Sequence, residues 1–373
     1  MRQRFLFASL LPWSAAVWGW AAPHTVQAQD ASQEVRGTVL EAGTEVPVEG
    51  AMVLLFEQEG RRVGGVLTAA NGFFRMFVPE PGRYRIRVDR IGYENTDTEP
   101  FAVPAGTSVL RRIETQVRPV QLAGLEVRGE GRCELRPEEG ATTAVVWNEA
   151  RKALAAATWT AERELYRFAW TRYERELSAD GRRVLEEERT YDRRFTSRPF
   201  VAADPEQLAE RGFVETPTFG TWRYYAPDAD VLLSDAFLDT HCFRLQRTER
   251  NDEQLIGLAF EPIPGRRVPE VKGVLWLNQS TARLRSIEFG YVNLHSEVRG
   301  QYGGGEVILA ELPNGTWIVR EWEIRMPRFV VEQDSRGRPR RTVVTGYGSA
   351  GAVVQRATTA TGATVVIPEQ PGR

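Results

Sequence analysis

Alternation with a period of two restricts the fold more than any other feature of this chain. Tyr84-Arg85-Ile86-Arg87-Val88 places apolar and charged residues strictly in turn, as in an antiparallel strand with one face in a core and one in water. Val35 to Leu40, Ala51 to Phe56, Gly65 to Thr68, Phe73 to Val78 and Val109 to Ile113 read as further short strands, broken at Pro47, Gly50, Asn71-Gly72 and Pro79 to Gly82. About seven strands in roughly 80 residues predict a β-sandwich over residues 33–118.

The pattern changes beyond a Gly-spaced join at 119–132. Val146, Ala150, Ala153, Leu154 and Ala157 recur at helical spacing and predict one amphipathic helix over about 142–157. Leu165 to Glu176 and Arg183 to Phe195 then form a long hairpin about Ser178-Ala179-Asp180-Gly181. A short second helix is expected from Ser234, followed by strands over Gln254 to Pro262, Gly273 to Asn278, Arg283 to Leu294, Glu306 to Leu312 and Thr316 to Met326. Arg341 to Gly346 is expected to close the sheet. Residues 133–356 are thus expected to form an antiparallel α+β domain, and the Thr-, Gly- and Pro-rich tail at 357–373 is expected to fray. The whole is mainly β.

With 373 residues, the chain has length for two domains. Its 48 basic and 50 acidic side chains leave no excess positive field, which argues against nucleic-acid binding. Residues 1–28 have the three parts of a secretory signal peptide: Arg2 and Arg4, an uncharged run from Phe5 to Pro23, and the small-residue exit Val26-Gln27-Ala28. An uncleaved membrane anchor is the alternative, since the run is close to bilayer-spanning length. After cleavage no transmembrane span is expected, and the mature protein would lie in the periplasm or at the outer membrane. In an oxidising compartment, Cys133 and Cys242 are expected to pair as a disulfide enclosing about 109 residues. A Cys242–His241 nucleophile is the other reading. It is disfavoured because neighbours on a strand point to opposite faces.

Several ordered turn motifs carry a family resemblance. Gly37-Thr38-Val39, Val46-Pro47-Val48-Glu49-Gly50-Ala51-Met52-Val53, Thr68-Ala69-Ala70-Asn71-Gly72-Phe73-Phe74, Pro81-Gly82-Arg83-Tyr84 and Ile91-Gly92-Tyr93 resemble the carboxypeptidase regulatory-like domain. That resemblance implies a seven-strand, immunoglobulin-like or transthyretin-like sandwich acting as a non-catalytic accessory in bacterial envelope proteins. Ala69 replaces an Asp common in the family's turn, which implies no loop cation site. Further on, Val271-Lys272-Gly273-Val274-Leu275-Trp276-Leu277-Asn278 with Thr281 to Phe289 resembles a hairpin of periplasmic lipoprotein-carrier proteins. This resemblance implies a curved antiparallel sheet and an apolar cleft lined by Trp170, Trp276, Trp317 or Trp322. Simple core packing is the competing reading of those aromatics.

Catalytic signatures are incomplete. Beyond the leader the chain has only His241 and His295, too few for a zinc hydrolase, and no phosphate-binding loop or nucleophile elbow is present. Neither metal nor cofactor is expected. The one suggestive polar cluster is Asp235, Asp239 and His241, with Asp228 and Asp230 nearby in sequence; its carboxylates also suit helix caps. The sequence therefore predicts an exported, non-catalytic binding module of the cell envelope, with an envelope polymer, lipid or protein as partner and carbohydrate binding among its possible roles. A periplasmic lipid or lipoprotein carrier and a hydrolase using the Asp/His cluster are the two alternatives.

Overall fold

The computed structural model describes residues 33–118, 134–138, 140–196, 200–215, 222–250, 253–294, 303–333, 336 and 339–368. The expected leader at 1–28 and the whole of the expected join at 119–132 lie outside these residues, as do Cys133 and His295.

Eight strands make the N-terminal domain: β1 (Glu34–Glu41), β2 (Met52–Glu57), β3 (Arg62–Leu67), β4 (Phe73–Phe77), β5 (Gly82–Asp89), β6 (Thr96–Asp97), β7 (Phe101–Val103) and β8 (Ser108–Thr115). They form two sheets, β4-β1-β8 and β3-β2-β5-β6, with β7 also on β5. Val35, Val53, Leu55, Phe74, Ile86 and Val88 fill the space between them. The count exceeds seven because β6 and β7 have two and three residues, too few to show a period.

In the C-terminal domain, β9 (Glu134–Leu135) leads into α1 (Thr143–Glu162), then β10 (Tyr166–Leu177) and β11 (Val184–Thr196). Small elements follow: α2 (Pro205–Arg211), β12 (Val214–Glu215), β13 (Arg223–Tyr224), α3 (Ala229–Leu233) and α4 (Asp235–Leu238). The remaining strands are β14 (His241–Arg250), β15 (Glu253–Pro262), β16 (Glu270–Asn278), β17 (Leu284–Val292), β18 (Gly304–Glu311), β19 (Trp317–Gln333), β20 (Pro339–Thr359) and β21 (Thr364–Val365). One eleven-stranded sheet takes in most of them in the order β11-β10-β20-β19-β18-β17-β16-β15-β14-β9, with β21 on β20. Leu154 of α1, Leu208 of α2, Leu232 of α3 and Phe237 of α4 pack with Phe243, Leu258, Leu275, Leu309 and Trp317 of the sheet. One face of the sheet is therefore helical.

Three elements depart from the expectation. α1 runs on to Glu162 because Trp159 and Thr160 are still buried, and it stops where Glu164 takes a positive φ of 50°. β14 carries Phe243 and Leu245 toward the helices and was not among the expected strands. The tail expected to fray from 357 is held in β20 as far as Thr359. Ala357 is fully buried and β21 pairs back onto β20.

The two domains share a core. Val53 and Leu55 of β2 face the sandwich interior, whereas Met52 and Leu54 point outward and are buried among α1 residues. At the same junction, Lys152 and Glu149 of α1 are both almost fully buried and lie 2.7 Å apart. Lys152 Nζ also donates to Arg90 O (3.0 Å) and Tyr93 O (2.9 Å), so the turn Arg90 to Tyr93 wraps one ammonium group. Arg90 continues the seam, pairing with Glu311 at 2.8 Å. Trp159 Nε1 donates to Gly65 O at 3.2 Å. The backbones meet at Gly50, with φ +67°. A Cβ there would lie 2.7 Å from Asn314 O and Gly315 Cα, so any side chain would push the domains apart.

This seam predicts cooperative unfolding. Lys152→Ala leaves the Glu149 charge and two carbonyls without their partner, at a cost of about 3–5 kcal/mol. In urea, the wild-type domains are expected to unfold in one transition and the variant's in two. The double change Lys152→Met with Glu149→Leu should lose less than Lys152→Ala alone.

Candidate functional site

β-register identifies what faces the helical side beyond the helices. On β19, Trp322 and Ile324 pack against the helix-side core. Their partners on β20 are Ala352 and Ala350, and those on β10 are Arg172 and Glu174. One step further out, Met326, Gly348 and Glu176 share the same face. On β11, Thr190, Glu188 and Glu186 sit opposite Arg172, Glu174 and Glu176.

Small residues on β20 make this end of the helical face a trough. Two adjoining hollows of about 520 Å³ and 280 Å³ share Glu174, Glu188 and Ala350. Carboxylates line one wall: Glu174 opposes Glu188, and Glu176 opposes Glu186. Like charges placed directly opposite destabilise a sheet. Arg328 pairs with Glu176 and offsets part of that repulsion. Aromatic residues line the other side. Trp222 and Tyr224 border the larger hollow and Trp322 the smaller. Trp222 meets Phe329 edge-on at 6.0 Å, and Phe200 meets Trp322 at 5.5 Å. Burial raises the Tyr224 phenol to about 12, and its Oη is buried with no hydrogen-bond partner among the described residues.

The four tryptophans expected around one cleft do not share one. Trp322 lines the trough. Trp317 is 2% exposed and borders a separate apolar hollow of about 60 Å³ between α1, α3 and β19. Trp276 lies opposite Gly257, on the sheet face away from Leu275 and Leu277, and a Cβ on Gly257 would touch its ring. Trp170 is partly buried, with the Arg172 guanidinium 5.9 Å from its ring centroid.

The acid–base cluster is not assembled either. Asp235 and Asp239 are exposed and both pair with Arg136, at 3.1 and 2.5 Å. Asp228 caps α3, accepting from Val231 N at 2.9 Å, and Asp230 accepts from Thr158 Oγ1 at 2.9 Å. His241 is 1% exposed and stacks on Phe237 with ring centroids 3.9 Å apart. Its Nδ1 lies 3.1 Å from both Thr240 Oγ1 and Phe237 O, and its Nε2 lies 3.1 Å from Val271 O. Both ring nitrogens thus face backbone carbonyls, of which a neutral imidazole can donate to one, while the Thr240 hydroxyl donates to Ala236 O at 2.8 Å. Glu270 approaches Nε2 to 3.6 Å. Burial disfavours charge on both groups, lowering His241 to about 4 and raising Glu270, so the approach is not an ion pair. Arg266 holds Glu270 from its other side. Among the described residues no group of three His, Cys, Asp or Glu is arranged to hold a metal ion.

Two arginines on β5 share one carboxylate. Arg85 and Arg87 both pair with Asp97, at 2.6 and 2.9 Å, and Arg111 lies over the Phe101 ring at 4.2 Å. Cys242 is 5% exposed on β14, opposite Leu135 of β9. No cysteine among the described residues is free. The trough draws its lining from five separate segments, and its one local trace in the sequence is the Glu186-Glu187-Glu188 run.

His241 sets an acid limit on stability. As pH falls below about 6.5 the unfolded chain takes up a proton that the native imidazole refuses until about 4. Stability present above pH 6.5 is therefore lost as pH drops toward 4, by up to about 3 kcal/mol. Urea titrations at pH 7 and 4.5 should show a smaller difference for His241→Gln than for the wild type.

Comparison with known proteins adds the following. No curated protein matches the chain. The pilus 2b backbone protein of group B streptococcus is similar at 13% identity over 23% of this chain and 42% of its own, with a TM-score of 0.21. A 5-hydroxyisourate hydrolase of Klebsiella pneumoniae is similar at 17% identity, over 23% of this chain and 86% of its own, with a TM-score of 0.18. The major pilin subunit of Bacillus cereus is similar at 13% identity, over 91% and 93%, with a TM-score of 0.21. Scores this low describe no common overall architecture. The chain spans less than half the length of the first of these proteins. A family model does match the N-terminal strands: residues 34–116 are a carboxypeptidase regulatory-like domain.

Proposed function

We propose that the protein is an exported, non-catalytic binding module of the cell envelope, and that the trough on the helical face of β19, β20, β10 and β11 is where it engages its partner. The observation that carries this reading is the pair of opposed carboxylates, Glu174 with Glu188 and Glu176 with Glu186. Folding alone gains nothing from them. A partner segment carrying basic side chains would relieve the repulsion, and the aromatic wall would stack on its cationic groups. A basic segment of an envelope protein suits such a surface.

The two alternatives have less support. A lipid carrier needs an apolar cavity. The apolar hollow beside Trp317, at about 60 Å³, has room for a few waters but not an acyl chain. A hydrolase using the Asp/His cluster would need those groups together, whereas Asp235 and Asp239 bind Arg136 and His241 is sealed in the core.

Export also bears on the cysteines. β9 begins one residue after Cys133, and its Leu135 sits opposite Cys242. This neighbourhood supports a Cys133–Cys242 bridge.

Two measurements test these readings. Purified mature protein should sediment with envelope fractions, less so as salt rises, and protease treatment of the fractions should abolish the binding. Retained binding would point to a polymer instead. Glu174→Gln with Glu188→Gln should weaken binding while raising stability by a few tenths of a kcal/mol. Unchanged binding would remove the trough from the proposal. For the bridge, the intact mass of unreduced protein should be lower by two hydrogens than that of reduced protein. Cys133→Ser with Cys242→Ser should lower unfolding free energy by about 4 kcal/mol.

A further inference from the structure

The trough carries its charge at regular intervals. Arg172, Glu174 and Glu176 of β10 stand directly opposite Thr190, Glu188 and Glu186 of β11, which makes three rows: two acidic on both strands and one whose only charge is Arg172. Beyond Arg172 the ladder is bulged between Trp170 and Phe168, so the regular spacing ends there. Side chains on one face of a strand recur every second residue, about 6.7 Å apart. Among the described residues Glu176 is the one acid of the four in an ion pair, with Arg328, and Arg172 is in none. Gly348, Ala350 and Ala352 of β20 flank the rows, so a backbone can lie close to them.

We propose that the trough takes an extended peptide segment lying along β10 and β11, with basic residues at two alternate positions and an acidic residue at the next alternate one. This inference rests on the reading of the trough as the site of a basic partner segment, and adds the spacing and sign that the segment must have. An extended segment repeats its side chains at the interval of the sheet itself, so it stays in step with all three rows. A helix offers residues i, i+4 and i+8 about 6.0 Å apart, each turned about 40° from the last, so its third side chain points away.

The three rows ask for different things. In the middle row a basic side chain sits between Glu174 and Glu188, which nothing else neutralises. In the outer row Arg328 already meets Glu176, and the second basic side chain is left with Glu186. Arg172 repels a third one and offers a planar fork to a carboxylate. Charge alone would favour any cationic segment, whereas this order of rows favours one pattern.

End-blocked peptides of one composition test the pattern by calorimetric titration of the mature protein. Because the rows leave the chain direction open, Lys-Ser-Lys-Ser-Glu and Glu-Ser-Lys-Ser-Lys are both used. The better of them should bind about tenfold more tightly than Lys-Lys-Ser-Ser-Glu or Lys-Ser-Glu-Ser-Lys, in which the lysines are adjacent or four apart. The wild type should also prefer it to Lys-Ser-Lys-Ser-Lys, and Arg172→Glu, with its fold checked by circular dichroism, should reverse that preference. Equal affinity for all orders, or tighter binding with lysines four apart, overturns the inference and leaves the trough a site for basic segments. A preference that Arg172→Glu does not change also overturns it. Binding of none of the peptides overturns both this inference and the reading of the trough beneath it. If Arg172→Glu fails to fold, the wild-type series decides alone.

Discussion

One ammonium group sets how the two domains sit together. Lys152 is buried on α1, and its three donors go to Glu149 of the same helix and to two carbonyls of the Arg90 to Tyr93 turn. Ion and carbonyls are desolvated together, so none tolerates loss of the others. A buried pair of this kind is weak evidence for stability, and its value lies in specifying one arrangement. The apolar contacts of Met52 and Leu54 supply area but would accept many orientations, whereas the ammonium accepts one. Only two of the 48 basic residues are Lys. Here a compact point charge with three rotatable donors fits a site that a planar guanidinium would not.

That docking explains β2. β4 and β5 alternate between buried and more exposed positions, yet Met52-Val53-Leu54-Leu55 is apolar and buried without a break. A strand buried on both faces needs this composition. One face belongs to the sandwich interior and the other to α1. The N-terminal domain is thus not a bead on a string: its β3-β2-β5-β6 sheet is part of the C-terminal core. The helices then cover the middle of the large sheet, and what they leave uncovered at the β10–β11 end is the trough.

Local patterns were legible in the sequence and long-range ones were not. Period two located β5 and β10, and helical spacing located α1, because each signal lies within one element. β14 was less legible, because its alternation of His241, Phe243 and Leu245 gives way after five residues to the polar run Gln246 to Arg250. The end of β20, from Ala357, read as tail. The small residues in the middle of the strand make room for Tyr173, which lies against Gly351, where a Cβ would come within 2.4 Å of the phenol ring. The family resemblance located the sandwich, and Ile91-Gly92-Tyr93 within it proved to be the turn that meets Lys152. The aromatic cleft failed for a topological reason. Trp276 and Trp317 sit on opposite faces of the sheet, and strand register, which decides faces, is not readable residue by residue.

Several carboxylates elsewhere are held between paired arginines. Glu311 is held between Arg90 and Arg283, Glu187 between Arg175 and Arg189, and Asp97 between Arg85 and Arg87. In each case two guanidinium groups converge on one carboxylate, an arrangement readily made by a chain whose basic residues are nearly all Arg. On the opposite face of β10 and β11, the same two strands set Glu against Glu twice in succession. A sheet free to choose would have alternated sign there, as it does one residue away, where Arg175 meets Glu187. The cost of the opposed acids falls on the face the helices leave open, beside an aromatic wall. Opposed acids recur where β17, β18 and β19 set Glu288 against Glu306 and Glu306 against Glu323, and those of the trough differ in lying beside an aromatic wall, where the proposed partner would sit.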